Sequence, residues 1–260
     1  MKKVHIASCI NTKERVSEEL DYNAFIEQGA TYFFEIQKIR EIMGDVNDKR
    51  IIDCACGSGY GTKYINDSFP NNVIGIDIDK QSIEYCKNKY SDIPFISGDM
   101  VEISSLTNNL VDIFISNQTL EHFKEDDQYK IINNIYNKIN NGGLCFIAVP
   151  NKPVHEKYFD NNNKYHLHEH DFLNFKMIIQ SKKWNDIKFY SQLMPEYQLK
   201  STIIRNRFTY AVFSHLPKFI IRLLKIILKI PKLKMDDIKF KEFVQEDIMK
   251  TKYLIAICRK

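Results

Sequence analysis

The sequence predicts an α/β protein built on a mostly parallel sheet with helices on both faces. Strand-like and helix-like periodicities alternate through the first three quarters of the 260 residues. Successive apolar runs end in a polar residue, at Asp53, Asp77, Asp99 and the Ser116-Asn117 corner. Between the first two runs, RIIDCACGSGYGT at 50–62 carries the chain from strand to helix on three glycines. A β-α-β-α series folds as parallel strands joined by right-handed crossovers, and such sheets bind ligands beyond the carboxyl ends of their strands.

The elements follow in order. Residues 17–43 read as a helix, with Tyr22, Phe25, Tyr32, Phe33 and Phe34 interleaved with charges. The first strand is 50–55 and a helix follows over 59–67. The second strand is 72–77, with a helix over 80–89. Pro94-Phe95-Ile96-Ser97 is a short third strand ended by Gly98-Asp99. LVDIFIS at 110–116 is the fourth, followed by a helix over 126–139. Asn141-Gly142-Gly143 reads as a turn into a fifth strand at 144–149, stopped by Pro150. Beyond it, 188–190 and 252–258 read as late strands forming an antiparallel pair at the sheet edge. The division expected is 1–44 as a helical segment, 45–198 as the core, 199–250 as a helical cap or insertion, and 251–260 as the final strand.

Composition narrows the class. A hydrophobic content of 44% and a charged content of 27% suit an ordinary globular protein with a sizeable core. The net charge of +4 comes from interspersed acids and bases, which argues against a nucleic-acid partner, since that would need a concentrated basic stripe. The basic start MKKVHIASCINTKERV has no apolar run of the signal-peptide kind, and the expected location is the cytoplasm. Six scattered cysteines fit buried thiols in a reducing compartment. Cys54 and Cys56 have no second pair to complete a zinc site, so no metal is assigned.

The strand ends point to a nucleoside-containing ligand. Glycines in the first turn tolerate positive φ and let a ligand approach the main chain. Asp77 lies 24 residues beyond Asp53, about where a carboxylate can accept both hydroxyls of a ribose. Asp99 can accept the exocyclic amine of adenine, with Ile78 and Met100 sandwiching the ring. Glycines at 57, 59 and 61 do not make the dinucleotide fingerprint, and a sulfonium cofactor needs no pyrophosphate cradle. A methyl donor fits better than NAD.

On these residues the chain resembles the class I S-adenosylmethionine-dependent methyltransferases. DCACGSGYG is similar to their first motif, GIDID to the second, SGDM to the third, VDIFISNQTLEHF to the fourth and NNGGLCFIAVPN to the strand-five motif. Ala55 stands where many members carry the first glycine. A subgroup encoded with bacterial capsule and lipopolysaccharide genes is closer still. It shares Glu14-Arg15, an A-C-G-x-G-Y-G turn, Glu121-His122, Pro150-Asn151 and an H-x-x-E at His166 to Glu169, over about residues 14–192. Gln28 and Thr31 stand where that subgroup carries a histidine and an arginine, with Tyr32 retained.

The resemblance implies a Rossmann-like, doubly wound, mostly parallel seven-stranded sheet. It implies S-adenosylmethionine as cofactor and S-adenosylhomocysteine as product. The cofactor-binding residues it suggests are Tyr32, Asp53, Ala55, Cys56, Gly57, Gly59, Tyr60, Asp77, Ile78, Asp99, Met100 and Asn117. Its catalytic candidates are His122, His166 and Glu169.

His122 is either the base that takes a proton from the acceptor or a residue capping the next helix. Along an extended chain His166, His168 and His170 point the same way, as metal ligands do, but Asp171 reads as the N-cap of a helix and makes turn residues of some of them. His166 and Glu169 are taken as substrate-side residues.

FIIRLLKIILKI at 219–230 is too short and too charged to span a bilayer. It reads as a helix packed on its own domain or on a second copy in a homodimer, with a membrane surface as the alternative. The function expected is O-methylation of a small polar activated precursor, a nucleotide-linked sugar or a phosphoramidate-type substituent. The alternatives are a lipid or quinone methyltransferase and a cofactor-binding scaffold without turnover.

Overall fold

A computed structural model describes residues 22–106, 109–158, 165–198 and 232–260. Helix α1 (Tyr22–Met43) precedes the sheet. Then come β1 (Ile51–Cys54), α2 (Tyr60–Ser68), β2 (Val73–Asp77), α3 (Lys80–Lys89), β3 (Phe95–Ser97) and the short α4 (Ile103–Leu106). The chain continues through β4 (Val111–Asn117), α5 (Glu125–Lys138), β5 (Ile139–Pro150), α6 (Lys152–Tyr158) and α7 (Phe172–Ile179). It closes with β6 (Asp186–Leu193), β7 (Lys239–Glu242) and β8 (Thr251–Arg259).

The strands form one sheet in the order β3-β2-β1-β4-β5-β8-β6-β7. The first five pair in parallel, and β8, β6 and β7 run antiparallel. Because β1 lies between β2 and β4, strand order reverses there, opening the crevice that α/β sheets use for ligands.

Alternation along the strands builds a core on each face. Ile51, Ile113, Ile115 and Phe146 face one way, onto Ile36 and Ile39 of α1 and Ile65 of α2. Ile52, Phe114 and Ile147 face the other, onto Ile131 and Ile135 of α5 and Phe175 and Ile178 of α7. Both faces of β1 are buried, which is why its sequence is apolar without alternation.

Helix α1 is fixed to the antiparallel strands by polar and aromatic contacts. Glu27 Oε2 accepts from Lys252 Nζ of β8 at 2.5 Å, with both side chains nearly buried. Thr31 Oγ1 donates to Gln192 Oε1 of β6 at 2.6 Å, and Gln192 Nε2 donates to the Glu27 carbonyl at 3.0 Å. Phe34 stacks on Phe240 of β7 with ring centres 4.4 Å apart.

The doubly wound sheet stands as expected, with corrections. It has eight strands instead of seven, because residues 239–242 of the expected helical cap pair with β6. Residues 141–143 continue β5 instead of making a separate turn. The register slips between Val111 and Ile113, and Gly142 adopts φ 82° while its amide bonds the Lys260 carbonyl just past the end of β8. The antiparallel pair is present, and β6 reaches from 186 to 193, well beyond the 188–190 expected. The Glu14-Arg15 pair, Cys9 and the 219–230 segment lie outside the described residues. No helix among the described residues is long and apolar enough to cross a membrane.

Candidate active site

The glycine turn after β1 is a strained piece of backbone. Ala55 (φ 62°), Gly57 (φ 56°) and Gly59 (φ 76°) all lie in the left-handed region, so Ala55 occupies a conformation that favours glycine. At Gly59, which is the N-cap of α2, a Cβ would fall 2.7 Å from Cys86 Sγ. Gly61 is small for a different reason. A Cβ there would lie 2.1 Å from the Tyr32 ring, so this glycine makes room for α1.

Asp77, at the end of β2, is 1% exposed and clasps the turn. Its Oδ2 accepts from the Gly57 amide at 2.9 Å and its Oδ1 from the Asp79 amide at 2.9 Å. Cys56 joins the same strand end through its amide, which donates to the Ile76 carbonyl at 2.9 Å. Asp99 starts the 3₁₀ turn Met100–Glu102, its Oδ1 accepting from the Val101 amide at 2.9 Å. Ile78 is 65% exposed while Met100 is buried, so one apolar wall is open and the other sits behind it. These residues gather at the carboxyl ends of β1, β2 and β3.

One face of α1 supplies a second row. Gln28 Oε1 accepts from the Tyr60 hydroxyl at 2.7 Å, and the Tyr32 hydroxyl donates to Asp53 Oδ1 at 3.0 Å. Glu35 Oε2 accepts from Asn117 Nδ2 at 2.9 Å. Thr62 Oγ1 also donates to Asp53, at 2.5 Å. Tyr32 and Asp53 therefore direct their polar groups at each other beneath the turn, and their place is to support it. Gln28 and Thr31 hold Tyr60 and Gln192, so the departures from the subgroup pattern act as structural ties.

Burial dominates the electrostatics here. It pushes the Asp53 carboxyl up to about 6, against the hydrogen bonds from Thr62 and Tyr32 that lower it. Glu35, wholly buried, is pushed up to about 8 by the same cause. The phenols of Tyr32 and Tyr60 are raised too, by burial first and then by Asp53.

Among the buried polar atoms without a hydrogen-bond partner in the described residues are Glu35 Oε1, Asn117 Oδ1 and Gln118 Nε2, which lie near the end of β4. Unpaired buried groups of this kind are costly unless something supplies the partner. Asn117 Oδ1, Gln118 Nε2 and, once its carboxyl is ionised, Glu35 Oε1 of α1 match an ammonium and a carboxylate, the two ends of an amino acid. Asp77 matches a ribose diol, and Ile78 with Asp99 matches adenine. The set fits S-adenosylmethionine, with Asp77, Asp99, Asn117 and the backbone at 55–60 as the residues that would hold it.

The catalytic candidates stand on the next two connections. His122 ends the 3₁₀ turn Leu120–His122 after β4, with Nδ1 3.0 Å from the Tyr165 carbonyl. The loop before α7 docks on that turn. The amides of Leu167 and His168 donate to the Glu121 carbonyl, and Gln128 Nε2 bonds the carbonyls of Leu120, Phe123 and His168. His166 Nδ1 lies 2.5 Å from Glu169 Oε1, and His155 Nδ1 of α6 approaches the same oxygen at 3.4 Å. Hydrogen bonds from His155 and His166 hold the Glu169 carboxyl well below its ordinary range, so it is ionised.

The expected row of His166, His168 and His170 does not form. His166 turns towards His122 and His155, with ring centres 5.0 and 5.8 Å away. His170 is fully buried against Phe175, and burial lowers it to about 4, so it is neutral. Asp171 is the N-cap foreseen for α7, accepting from the Asn174 amide at 2.9 Å. Pro150-Asn151 is a clamp. Asn151 Nδ2 donates to the carbonyls of Ile248 and Thr251, while Lys152 N donates to the His170 carbonyl, and this aligns α6 with the histidine loop.

The residues missed were Glu35, Gln118 and His155. Glu35 is detectable by helical spacing, since 28, 32 and 35 fall on one face. His155 belongs to α6, whose start Asn151 and Pro153 signal, but its approach to His166 and Glu169 spans a gap in sequence that no local pattern bridges.

With the geometry in place, comparison with known proteins gives a consistent result. A family model described as "Methyltransferase domain" matches residues 52–147, from β1 to the middle of β5. Among curated proteins, a malonyl-[acyl-carrier protein] O-methyltransferase from Acetivibrio thermocellus is 35% identical over 78 residues, 29% of this chain and 27% of that protein. A fatty-acid O-methyltransferase from Mycolicibacterium smegmatis is 25% identical over 75 residues, 28% of this chain and 27% of that protein. The chain thus spans about a quarter of the length of the curated relatives it matches.

Among solved structures, a SAM-dependent methyltransferase from Archaeoglobus fulgidus superposes with a TM-score of 0.56 at 16% identity, over 92% of this chain and all of that one. An S-adenosylmethionine-dependent methyltransferase from Clostridium acetobutylicum gives 0.54 at 10% identity, over 88% and 90%. Residues 52–147 are thus similar to a methyltransferase domain, and the chain shares its fold with solved S-adenosylmethionine-dependent methyltransferases.

Proposed function

We propose that the chain methylates a hydroxyl oxygen on a small polar acceptor, an activated precursor of a bacterial surface polysaccharide such as a nucleotide-linked sugar or a phosphoramidate-type substituent. The observation that carries the hydroxyl reading is the placement of His122. A carbonyl only accepts, so contact with Tyr165 O puts a proton on Nδ1 and leaves Nε2 as a proton acceptor in the neutral ring. His122 also follows Asn117 at the cofactor end of β4 by five positions.

When bound, S-adenosylmethionine supplies a methyl carbon already activated by its sulfonium. The protein's part is positioning and proton removal. Asp77 and the glycine turn hold the nucleoside, and Glu35 with Asn117 receives the ammonium end. His122 takes the acceptor proton. His166 and Glu169 border the acceptor side as an oriented imidazole–carboxylate pair. The acceptor class rests on the resemblance to the polysaccharide-associated subgroup.

A second reading has its own support. Both curated relatives are named as O-methyltransferases of a carboxyl-bearing substrate, a fatty acid or malonyl-[acyl-carrier protein]. A carboxylate needs no base, so His122 would then be dispensable. The two separate in one assay, following S-adenosylhomocysteine release with nucleotide sugars and with fatty or malonyl acids. Turnover only with hydroxyl acceptors, lowered about 10²- to 10⁴-fold in His122→Ala, upholds the proposal. Turnover on acids that His122→Ala retains transfers it to the second reading. No turnover with either, in protein that binds the cofactor, favours a scaffold.

A further inference from the structure

Five side chains that offer metal-ligating atoms meet between the turn after β4, the first turns of α6 and the loop before α7: Glu121, His122, His155, His166 and Glu169. In the group His155, His166 and Glu169, one ligand atom from each lies within 4.8 Å of the other two, and the same holds for Glu121, His122 and His166. We infer that His155, His166 and Glu169 form a three-ligand site for a divalent first-row transition metal of the zinc class, open on one side to the acceptor.

Donor chemistry and enclosure support this group over its neighbour. Two imidazoles and a carboxylate are a donor set that suits zinc and the neighbouring transition metals, where magnesium and calcium favour all-oxygen sites. The three side chains are 19%, 11% and 17% exposed, enough to shield an ion and still leave a coordination position reachable from solvent. Catalytic zinc sites have this form, three protein ligands and one open position. In the second group Glu121 is buried, and its carbonyl anchors the histidine loop. His122 has its Nδ1 committed to Tyr165.

The ligands come from two segments that the fold holds in register before any ion arrives. His155 lies on α6, which starts at the Asn151 clamp, and Lys152 N ties that start to the His170 carbonyl at 2.8 Å. His166 and Glu169 lie on the loop that the Glu121 carbonyl and the Gln128 side chain fix from the other side. The close His166–Glu169 contact opens as both atoms turn to an ion at 2.0–2.2 Å, the usual range for zinc with nitrogen and oxygen ligands. An ion there is adjacent to His166's other neighbour, His122. A hydroxyl bound at the open position would be acidified by the cation and would lose its proton to His122.

The test uses the whole chain, stripped with chelator and titrated calorimetrically with Zn²⁺ or Mn²⁺ alone. S-adenosylhomocysteine binding is measured on the same samples. Uptake of one equivalent is expected, weakened about 100-fold in His155→Ala and in Glu169→Gln and unchanged in His168→Ala, whose side chain lies outside the group. Circular dichroism of each variant establishes that it is folded. Folded wild type that takes up no ion, or that takes up the same ion when His155 is alanine, overturns the site. If S-adenosylhomocysteine still binds, the methyltransferase reading stands without it.

Discussion

The two halves of the sheet differ in how they make their contribution. The parallel half, β1 to β5, gathers the residues proposed to hold the cofactor almost entirely from strand ends and the turns that follow them. The antiparallel half, β8-β6-β7, contributes no strand-end carboxylate to that surface. Instead it holds α1 in place, through Glu27–Lys252, Thr31–Gln192 and Phe34–Phe240. The neighbouring face of α1 then carries Tyr32 to Asp53 and Glu35 to Asn117, at the carboxyl ends of β1 and β4. One half is local chemistry on a sheet, and the other is leverage applied through a helix. The proposed acceptor side, with His122, His155, His166 and Glu169, sits where loops of the first half meet helices leading to the second.

This contrast can be broken in four ways, taken from the largest effect to the smallest. His122→Ala should lower kcat by about 10²- to 10⁴-fold with little change in S-adenosylhomocysteine affinity, since it acts on the acceptor side only. Steady-state kinetics beside calorimetry checks this, and loss of cofactor binding would erase the proposed separation of sides. Lys252→Met should destabilise the fold by about 3–5 kcal/mol, because Glu27 keeps a buried charge without its partner. Urea melts should show most of that loss recovered in Glu27→Leu with Lys252→Met. A small effect from the single change would mean that α1 is not held by this pair.

Gly61→Ala comes next. The added methyl must displace the Tyr32 ring, at about 1–3 kcal/mol, and it should weaken cofactor binding by disturbing the support beneath the turn. A thermal shift combined with S-adenosylhomocysteine titration reads both effects. The fourth concerns pH. Glu35 has an ordinary value of 4.5 and a folded value of about 8, so between these the native state holds a proton that the unfolded chain has released. Stability should therefore fall as pH rises from about 5 to 8, and Asp53, raised to about 6, acts with the same sign. Glu35→Gln should be the mildest change near pH 5 and should flatten the decline above it. Parallel slopes of Tm against pH in wild type and variant would show that Glu35 is not the group responsible.

Much of the parallel half was legible because its signals are local. Positive φ at 57 and 59 favours glycine, and a buried parallel strand reads as an unbroken apolar run. A crossover also fixes the distance from Asp53 to Asp77. Asp53 and Tyr32 lie at the glycine turn, where their polar groups meet each other. The antiparallel half and the histidine cluster were less legible because they depend on pairings across long sequence separations. β7 is four residues, mostly exposed and charged, that become a strand only because β6 offers an edge. His155 joins His166 through the Asn151 clamp, whose hydrogen bonds reach almost a hundred residues along the chain. Alternation predicted a row at 166, 168 and 170, yet hydrogen bonding to Glu121 curls that loop and sends His170 into the core.

The central claim, that the strand-end surface of the parallel half holds S-adenosylmethionine, is tested most directly by calorimetric titration of wild type and Asp77→Ala with S-adenosylhomocysteine. Binding to wild type that falls by about 100-fold or more in the variant is expected, since Asp77 clasps the turn and is the residue proposed to take the ribose. Folded wild type that does not bind, or a variant that binds as well as wild type, would contradict it.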